Sequence, residues 1–381
     1  MSSRDIHFDG TIPNASDTPR GEVGGLAVFE GVMMRSRTGF AIAQRRADGS
    51  IALTQFPWRS FMQRSKPLRI PFFRGIASLS EMMVIGTRAM QFSTAVGEEQ
   101  ASESPAGKSW GSTVSILASL AAMVFFLVII PDVIPPLMVT FFGAAETFTE
   151  INHPIIFNLI SGVLRVGILL IYVVGLSLNG DIRRVFEYHG AEHKAVLALE
   201  EGRDVTVARA RRHDTLHPRC GTTFLALLAL LCIPVFALAD YALMLHVSGF
   251  PDWSPLARNL TQLLAHAALL PVVACLVFEL IKFAATRTKN FACRAILAPG
   301  FFLQRLTTRR PDDHQLEVAI VALFGALAIS PYDREIQKYV VRGLQDDESA
   351  PGYIPRSPAR VSTRQADEPG GPEFIPESEA S

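Results

Sequence analysis

Four long apolar segments constrain the fold of this 381-residue chain more than any other feature of its sequence. A helix needs about 20 predominantly apolar residues to cross the hydrocarbon core of a bilayer. Runs of this length predict an all-α polytopic membrane protein with about four transmembrane helices, rather than a soluble protein with buried helices. The predicted spans are residues 113–131, 155–178, 222–246 and 260–285.

Lysine and arginine are unevenly distributed between the loops that join these spans. They are abundant in residues 179–221 and again after the last span, whereas residues 132–154 contain neither and residues 247–259 contain only Arg258. Basic residues collect in the cytoplasmic loops of membrane proteins. The distribution therefore predicts a multi-pass protein with both termini and residues 179–221 in the cytoplasm.

The segment between the second and third spans contains the motif HxxEH, formed by His189, Glu192 and His193. On a helix, residues four apart lie one above the other on the same face, so both imidazoles can reach one metal ion. In zinc hydrolases of this kind, a carboxylate beside the ligands accepts a proton from the attacking water. The motif therefore predicts a divalent metal site, with zinc as the ion and Glu192 as the catalytic base.

Three further metal-ligand candidates are expected at the same membrane face. His217 and Cys220 immediately precede the third span, and Glu279 lies near the cytoplasmic end of the fourth. The two motif histidines with Glu279 would leave a coordination position open for water, as in catalytic zinc sites. The same histidines with His217 and Cys220 would close a tetrahedron, as in structural sites. The sequence leaves both sets open.

Besides Glu279 and Lys282 near the end of the fourth span, the predicted spans contain the charged residues Arg165 and Asp240, and His266 lies at a depth similar to theirs in the fourth. An unpaired charge in the hydrocarbon core is costly, so charged residues there face the interior of the bundle and pair with one another. We therefore expect an ion pair between Arg165 and Asp240. A polar path for a proton or a substrate is the functional alternative.

The chain before the first span predicts two smaller elements. Short β-prone pieces around an Asp48–Gly49 turn predict a small cytoplasmic β-containing unit over residues 23–66. A charged but apolar-rich helix follows over residues 67–95, and its composition favours an interfacial or re-entrant helix.

After the last span, a basic segment leads to a second cytoplasmic helix whose start is predicted at residues 311–313. Polar segments with little to bury predict disordered tails and a linker. The predicted organisation is a tail over 1–22, the β-containing unit over 23–66, the interfacial helix over 67–95, a linker over 96–112, the four-span bundle over 113–285, the basic segment and helix over 286–335, and a mostly disordered tail over 336–381.

Charge and cysteine content exclude several classes of protein. Lys+Arg and Asp+Glu balance at 36 each, and the basic residues are not interleaved with aromatic ones, so no nucleic-acid partner is expected. The four cysteines are scattered, which is unlike a disulfide framework and fits a reducing compartment. The polar N-terminus lacks the apolar core of a cleaved signal peptide. The lipid bilayer is the partner that the composition predicts.

Five ordered motifs within residues 23–330 are similar to those of a known family. They are GGLAVFEGVMMR at 24–35, RIPFFRG at 69–75, YHGAEHK at 188–194, LHPRCGT at 216–222 and LTTRRPD at 306–312. Together they resemble the YqhQ-like family, bacterial membrane proteins of unknown function that are often labelled metal-dependent enzymes. The resemblance implies the bacterial cytoplasmic (inner) membrane, and it points to His189, Glu192, His193, His217 and Cys220. His213 falls outside these motifs.

Two classes of function are compatible with these patterns. The first is a metal-dependent membrane enzyme, most simply a hydrolase, that acts at the cytoplasmic face on a lipid-linked or membrane-protein substrate. The second is a non-enzymatic assembly factor or transporter with a structural metal or none. A water-accessible metal beside Glu192 would favour the first class, and a closed site with four ligands would favour the second.

The distribution of basic residues generates a direct test of topology. Reporter fusions at Glu146 and at Arg203 should report opposite sides of the membrane, because one loop lacks lysine and arginine and the other is rich in them. Alkaline phosphatase and fluorescent-protein fusions measure this side by side. Fusions that report the same side at both positions would contradict the predicted orientation.

Overall fold

The computed structural model describes residues 23–61, 70, 73–101, 153–202, 205–330, 333 and 335–341. The predicted first span over 113–131 and the N-terminal tail over 1–22 lie outside the described residues. In chain order the elements are β1 (Gly24–Val28), β2 (Gly31–Arg35), β3 (Gly39–Arg45), β4 (Ile51–Pro57), α1 (Phe73–Ala101), α2 (Pro154–Leu176), α3 (Gly180–Glu200), α4 (Val207–Arg212), α5 (Gly221–His246), α6 (Pro255–Ala285), α7 (Phe291–Thr307), α8 (Asp313–Leu327) and β5 (Gln337–Val341).

The first four strands form an antiparallel meander, which confirms a small sheet near the N-terminus. The turn between β3 and β4 contains Gly49, whose φ of 82° is left-handed and costs glycine little. One carboxylate oxygen of Asp48 accepts a hydrogen bond from the backbone N–H of Ser50 at 2.9 Å. Both features agree with the turn predicted from the sequence.

A fifth strand, β5, comes from the other end of the chain. It pairs antiparallel with β4, with Tyr339 opposite Leu53 and Val341 opposite Ile51. The sequence analysis placed these residues in a mostly disordered tail and did not predict the strand. A five-residue strand carries too short an alternating pattern to be recognised before its partner strand is known.

Both faces of the sheet are buried, and each packs against different helices. Val32 and Met34 belong to a core shared with α3 and α8, whereas Met33 and Ile42 belong to a second core with Ile85 of α1. Successive side chains of a strand point to opposite faces, so a single strand serves both cores. The sheet is therefore a platform to which three helices are attached.

Three of the described helices are long and apolar enough to cross a membrane. They cover Ile155–Leu176 in α2, Gly221–His246 in α5 and Leu256–Ala285 in α6, and correspond to the second, third and fourth predicted spans. Large apolar side chains on their outer faces, such as Val163 and Ile171, are exposed, as on a surface that faces lipid. The number of four spans stays a prediction, because residues 113–131 are not described.

Asp240 contacts a histidine on the neighbouring helix that the sequence did not predict as its partner. His266 Nε2 on α6 lies 2.9 Å from a carboxylate oxygen of Asp240 on α5. The predicted ion pair between Asp240 and Arg165 stays a prediction. The imidazole stacks on Phe236 with ring centroids 4.2 Å apart, which holds it against α5. The pair links two neighbouring spans through groups inside the bundle.

Helix α1 connects the sheet to span α6. Its Arg74 donates to Glu279 of α6, with Nε 2.6 Å from one carboxylate oxygen. Further along α1, Glu81 is fully buried and accepts hydrogen bonds from Trp58 Nε1 at 2.6 Å and Ser60 Oγ at 2.9 Å. Arg35 of β2 forms an ion pair with Glu81, with an Nη2–Oε1 distance of 2.9 Å. The predicted interfacial or re-entrant placement of this helix stays a prediction.

Replacing Glu81 should destabilise the attachment of α1 to the sheet. We expect Glu81→Ala to lower the free energy of unfolding by about 3 kcal/mol, because it strands Arg35 and leaves buried donors without an acceptor. Denaturant titration of the detergent-purified protein measures the change. The exposed Glu335 offers a matched control, and Glu335→Ala should change stability by less than about 0.5 kcal/mol. Equal effects of the two substitutions would contradict a structural role for Glu81.

Candidate metal centre

Helix α3 presents the HxxEH motif as one face of a regular helix. Asn179 caps its N-terminus by accepting hydrogen bonds from the backbone N–H groups of Asp181 and Ile182. The helix is largely buried from Tyr188 onward, and Glu192 is 6% and His193 is 1% exposed. The helical spacing assumed in the sequence analysis is therefore present.

Both motif histidines are oriented by backbone carbonyls. His189 Nδ1 lies 2.9 Å from the carbonyl oxygen of Thr307, and His193 Nδ1 contacts the carbonyl oxygen of Thr215. A carbonyl only accepts hydrogen bonds, so each Nδ1 carries the proton and each Nε2 keeps its lone pair. A hydrogen bond from Nδ1 to a carbonyl is typical of histidines that bind metal through Nε2.

The thiol of Cys220 lies opposite the free nitrogens. Its Sγ is 3.2 Å from His189 Nε2, and the ligand atoms of His189, His193 and Cys220 all lie within 4.8 Å of one another. Cys220 is also the N-cap of α5, where its sulfur accepts from the backbone N–H of Thr222 at 3.4 Å. Cys220 Sγ therefore contacts both His189 of α3 and the first turn of α5.

Burial favours the neutral form of His193. It lowers the pKa of His193 below its ordinary value, although the thiol of Cys220 and the Thr215 carbonyl oppose the shift. Neutral imidazole is the form that binds metal, since the protonated ring has no lone pair to donate. The shift therefore favours the form of His193 that can bind metal.

Glu192 is buried beside the ligand atoms. One of its carboxylate oxygens lies 3.5 Å from His193 Nε2, and its carboxylate accepts a backbone hydrogen bond from Gly25 of β1. Burial raises the pKa of Glu192, while His189 and His217 oppose the shift. A side chain at position 25 would collide with Glu192, since its Cβ would lie 2.6 Å from the Glu192 Cγ. The glycine therefore gives the carboxylate its place against β1.

His217 lies next to the three clustered residues without joining them. Its ring centroid is 5.7 Å from that of His193, and burial lowers its pKa. Gln304 of α7 holds its backbone from both sides, accepting from the His217 N–H at 2.9 Å and donating to the His217 carbonyl at 2.8 Å. Within the described residues, His217 Nε2 is buried without a hydrogen-bond partner. Glu200 Oε1 lies 3.6 Å from this nitrogen.

The remaining candidates lie elsewhere. Glu279 is engaged by Arg74, and it is not among the three clustered ligand candidates of the described residues. The physical reason is that α1, which the sequence analysis did not bring to this helix end, supplies a guanidinium to which the carboxylate binds. Arg165 on α2 and Asp240 on α5 lie within spans and are likewise outside the cluster.

Sequence reasoning missed the groups that orient the site. The carbonyls of Thr215 and Thr307 act through the backbone, which the identity of a side chain does not reveal. Gly25, Gln304 and Gly190 act by shape or by backbone contact. All but Gln304 lie in or directly beside the motifs at 24–35, 188–194, 216–222 and 306–312, and this clustering was the one signal that could have indicated them.

Comparison with known proteins agrees with the resemblance. Residues 70–328 match the family described as "Protein of unknown function (DUF1385)". The chain belongs to the DUF1385 family. It is also 31% identical over 327 residues to the uncharacterized protein YqhQ of Bacillus subtilis (strain 168), an alignment that covers 83% of this chain and 95% of the relative. No solved structure matches the chain.

The DUF1385 match contains the clustered residues. His189, His193, Cys220 and the adjacent Glu192 and His217 all lie inside residues 70–328, whereas Gly25 of β1 precedes them. The longer alignment with YqhQ shows that the similarity extends beyond that region, because its 327 residues exceed the matched length. The family membership predicted from the five motifs is therefore confirmed.

Gly190 generates a test of the site's construction. A Cβ at this position would lie 2.0 Å from the carbonyl oxygen of Arg309, so Gly190→Ala should separate α3 from the end of α7. We expect a loss of about 2 kcal/mol or more in the free energy of unfolding, since overpacking a tight contact moves backbone. Gly180→Ala on the same helix meets nothing within 4 Å and should be neutral, as denaturant titration of both variants will show. A Gly190→Ala protein as stable as wild type would contradict this packing.

Proposed function

We propose that this chain is a metal-dependent hydrolase of the bacterial inner membrane, with zinc held by His189, His193 and Cys220 and with Glu192 as general base. The observation that carries the proposal is the orientation of the two histidines. Each donates Nδ1–H to a backbone carbonyl and leaves Nε2 free beside the Cys220 thiol. Two imidazoles and one thiolate are a donor set that suits zinc.

The number of clustered ligands favours catalysis over structure. Three protein ligands leave one position of a tetrahedron for water, whereas structural zinc sites use four. Bound zinc would supply Lewis acidity and would make a coordinated water a stronger acid. Among the described residues, the clustered set combines the two motif histidines with Cys220, whereas Glu279, a member of one of the two expected sets, pairs with Arg74.

Glu192 has the position that a general base requires. Its carboxylate lies 3.5 Å from His193 Nε2, so a water near the ligand atoms is within its reach. It would take one proton from that water as the oxygen attacks the scissile carbonyl or phosphoryl group. It would then return the proton to the leaving group, so the carboxylate is regenerated at the end of each turnover.

The neighbourhood of the spans indicates the kind of substrate. Cys220 directly precedes α5, and α3 begins four residues after the last residue of α2. The cluster is therefore at one end of two apolar helices, and the basic residues around it favour the cytoplasmic side. A lipid-linked molecule or a segment of a membrane protein could reach such a position. We propose a substrate of this class.

One observation favours a different function. His217 is 5% exposed, and its buried Nε2 has no hydrogen-bond partner in the described part of the chain. If this ring completed the tetrahedron, the site would be closed, and the chain would be an assembly factor or transporter with a structural metal. The high burial of Glu192 and His193 also favours a closed, structural site.

Metal analysis tests the site. Wild-type protein purified in detergent should contain one zinc per chain by mass spectrometry of the metal, and His193→Ala should lose it because one of three ligands is gone. Glu192→Gln should retain the metal, since the amide preserves the shape of a residue that is not a ligand. Full metal content in a His189→Ala, His193→Ala double variant would rule the site out.

Cobalt substitution separates the two functions. With His189, His193 and Cys220 as the protein ligands, Co²⁺-loaded protein should change its visible spectrum on addition of azide, which takes the open position. A closed site with His217 as fourth ligand should give no change, and His217→Ala should then create the azide response. Such a result would favour the structural alternative over the hydrolase.

A further inference from the structure

One surface outside the metal centre has both charge and apolar area exposed. It is the outer face of α7, which we define by Phe291, Arg294, Ala298, Phe302 and Arg305. The phenyl rings of Phe291 and Phe302 are 84% and 53% exposed. These residues line a groove of about 390 Å³ along the helix. Exposed aromatic area of this kind marks a surface with a partner.

The outer face repeats itself along the helix. Phe291 is followed three residues later by Arg294, and Phe302 three residues later by Arg305. Eleven residues separate the two pairs, which is close to three turns, so both pairs lie on the same side about 16 Å apart. Two like-oriented pairs of an aromatic ring and a guanidinium therefore face away from the protein.

The inner face of α7 places the helix across the end of the bundle. Cys293 and Leu297 pack with Ala284, at the last turn of α6. Gly300 approaches Thr223, at the first turn of α5, so closely that a Cβ there would lie 2.4 Å from its side chain. A helix that touches the ends of two spans through one face lies at the level of the lipid headgroups.

The charge of this region is entirely positive. Residues 280–311 contain no aspartate or glutamate. Within the described part of the chain, neither Arg294 nor Arg305 has an ion-pair partner, although both are exposed. An anion from outside the protein is therefore the natural partner of these guanidinium groups, and phosphate accepts their paired N–H donors well.

We propose that the outer face of α7 binds an anionic phospholipid of the surrounding bilayer. The arginines hold the headgroup phosphate, while Phe291, Ala298 and Phe302 cover the upper part of an acyl chain. Amphipathic helices with basic residues beside aromatic ones bind anionic membrane surfaces in this way. The proposal is independent of the metal centre, since none of these side chains contributes to the His–Cys cluster.

Site-specific photocrosslinking tests the assignment. The full chain, with p-benzoylphenylalanine in place of Phe302, is reconstituted in vesicles of equal phosphatidylglycerol and phosphatidylcholine and irradiated. Mass spectrometry then counts the lipid adducts. We expect about fivefold more phosphatidylglycerol than phosphatidylcholine, roughly the factor that one basic residue contributes at an anionic surface.

Matched variants localise the preference. R294Q/R305Q should bring the adduct ratio close to one, whereas R46Q/R212Q, which removes the same charge from exposed arginines elsewhere, should leave it unchanged. In the protein that keeps both arginines, the ratio of phosphatidylglycerol to phosphatidylcholine adducts should also fall at high salt, because salt screens exposed charges. That measurement needs no arginine substitution and holds even if R294Q/R305Q fails to fold.

Three results would overturn the proposal. Equal adducts of the two lipids without any arginine substitution would show that the face does not select anions. A preference that survives R294Q/R305Q, or that high salt leaves unchanged, would place the selection elsewhere. Covalent dimers in place of lipid adducts would show that a second copy of the chain covers the face.

Discussion

The close contact between α3 and the end of α7 is the constraint on which the cluster of His189, His193 and Cys220 depends. Gly190 has no side chain, and this allows the carbonyl of Arg309 to lie against the helix. The backbone N–H of Arg309 donates to the Phe186 carbonyl at 2.9 Å, which closes the contact from the other side. Only at this separation does the carbonyl of Thr307 reach the ring of His189. The orientation of the His189 ring therefore follows from a backbone contact.

Buried polar groups connect this contact to the rest of the protein. Lys194 of α3 donates to the carbonyls of Arg211 and His213, so it holds the loop that delivers the Thr215 carbonyl to His193. Gln304 of α7 does the same for the backbone of His217. Leaving such groups without partners would cost about 1–3 kcal/mol each, so these hydrogen bonds hold the two loop segments in place. Helix α7 thus orients the site with its C-terminal turns, while the side chains of its charged outer face are exposed.

Several features could be predicted because they depend on local sequence. The apolar runs of α2, α5 and α6, the turn at Gly49 and the helix start at Asp312, whose side chain accepts from Gln315, each follow from a few neighbouring residues. Other features involve partners distant in sequence, and these were missed or misassigned. Strand β5 is defined by β4, Asp240 is paired by a residue on another span, and Glu279 is taken by Arg74 of α1. Periodicity along one segment contains no information about which segment lies opposite.

The sequence by itself determined the family, the apolar helices and the residue types of the candidate site, because HxxEH spacing and a cysteine before a span are local patterns. The tertiary structure decided which of those residues meet. In it, His189 and His193 lie close to Cys220, and His217 lies beside them. Glu279 instead forms an ion pair with Arg74. The reason is that ligand geometry requires distances of a few ångströms between atoms on different helices. Those distances are set by packing and backbone hydrogen bonds, such as the contact at Gly190, that no single segment encodes.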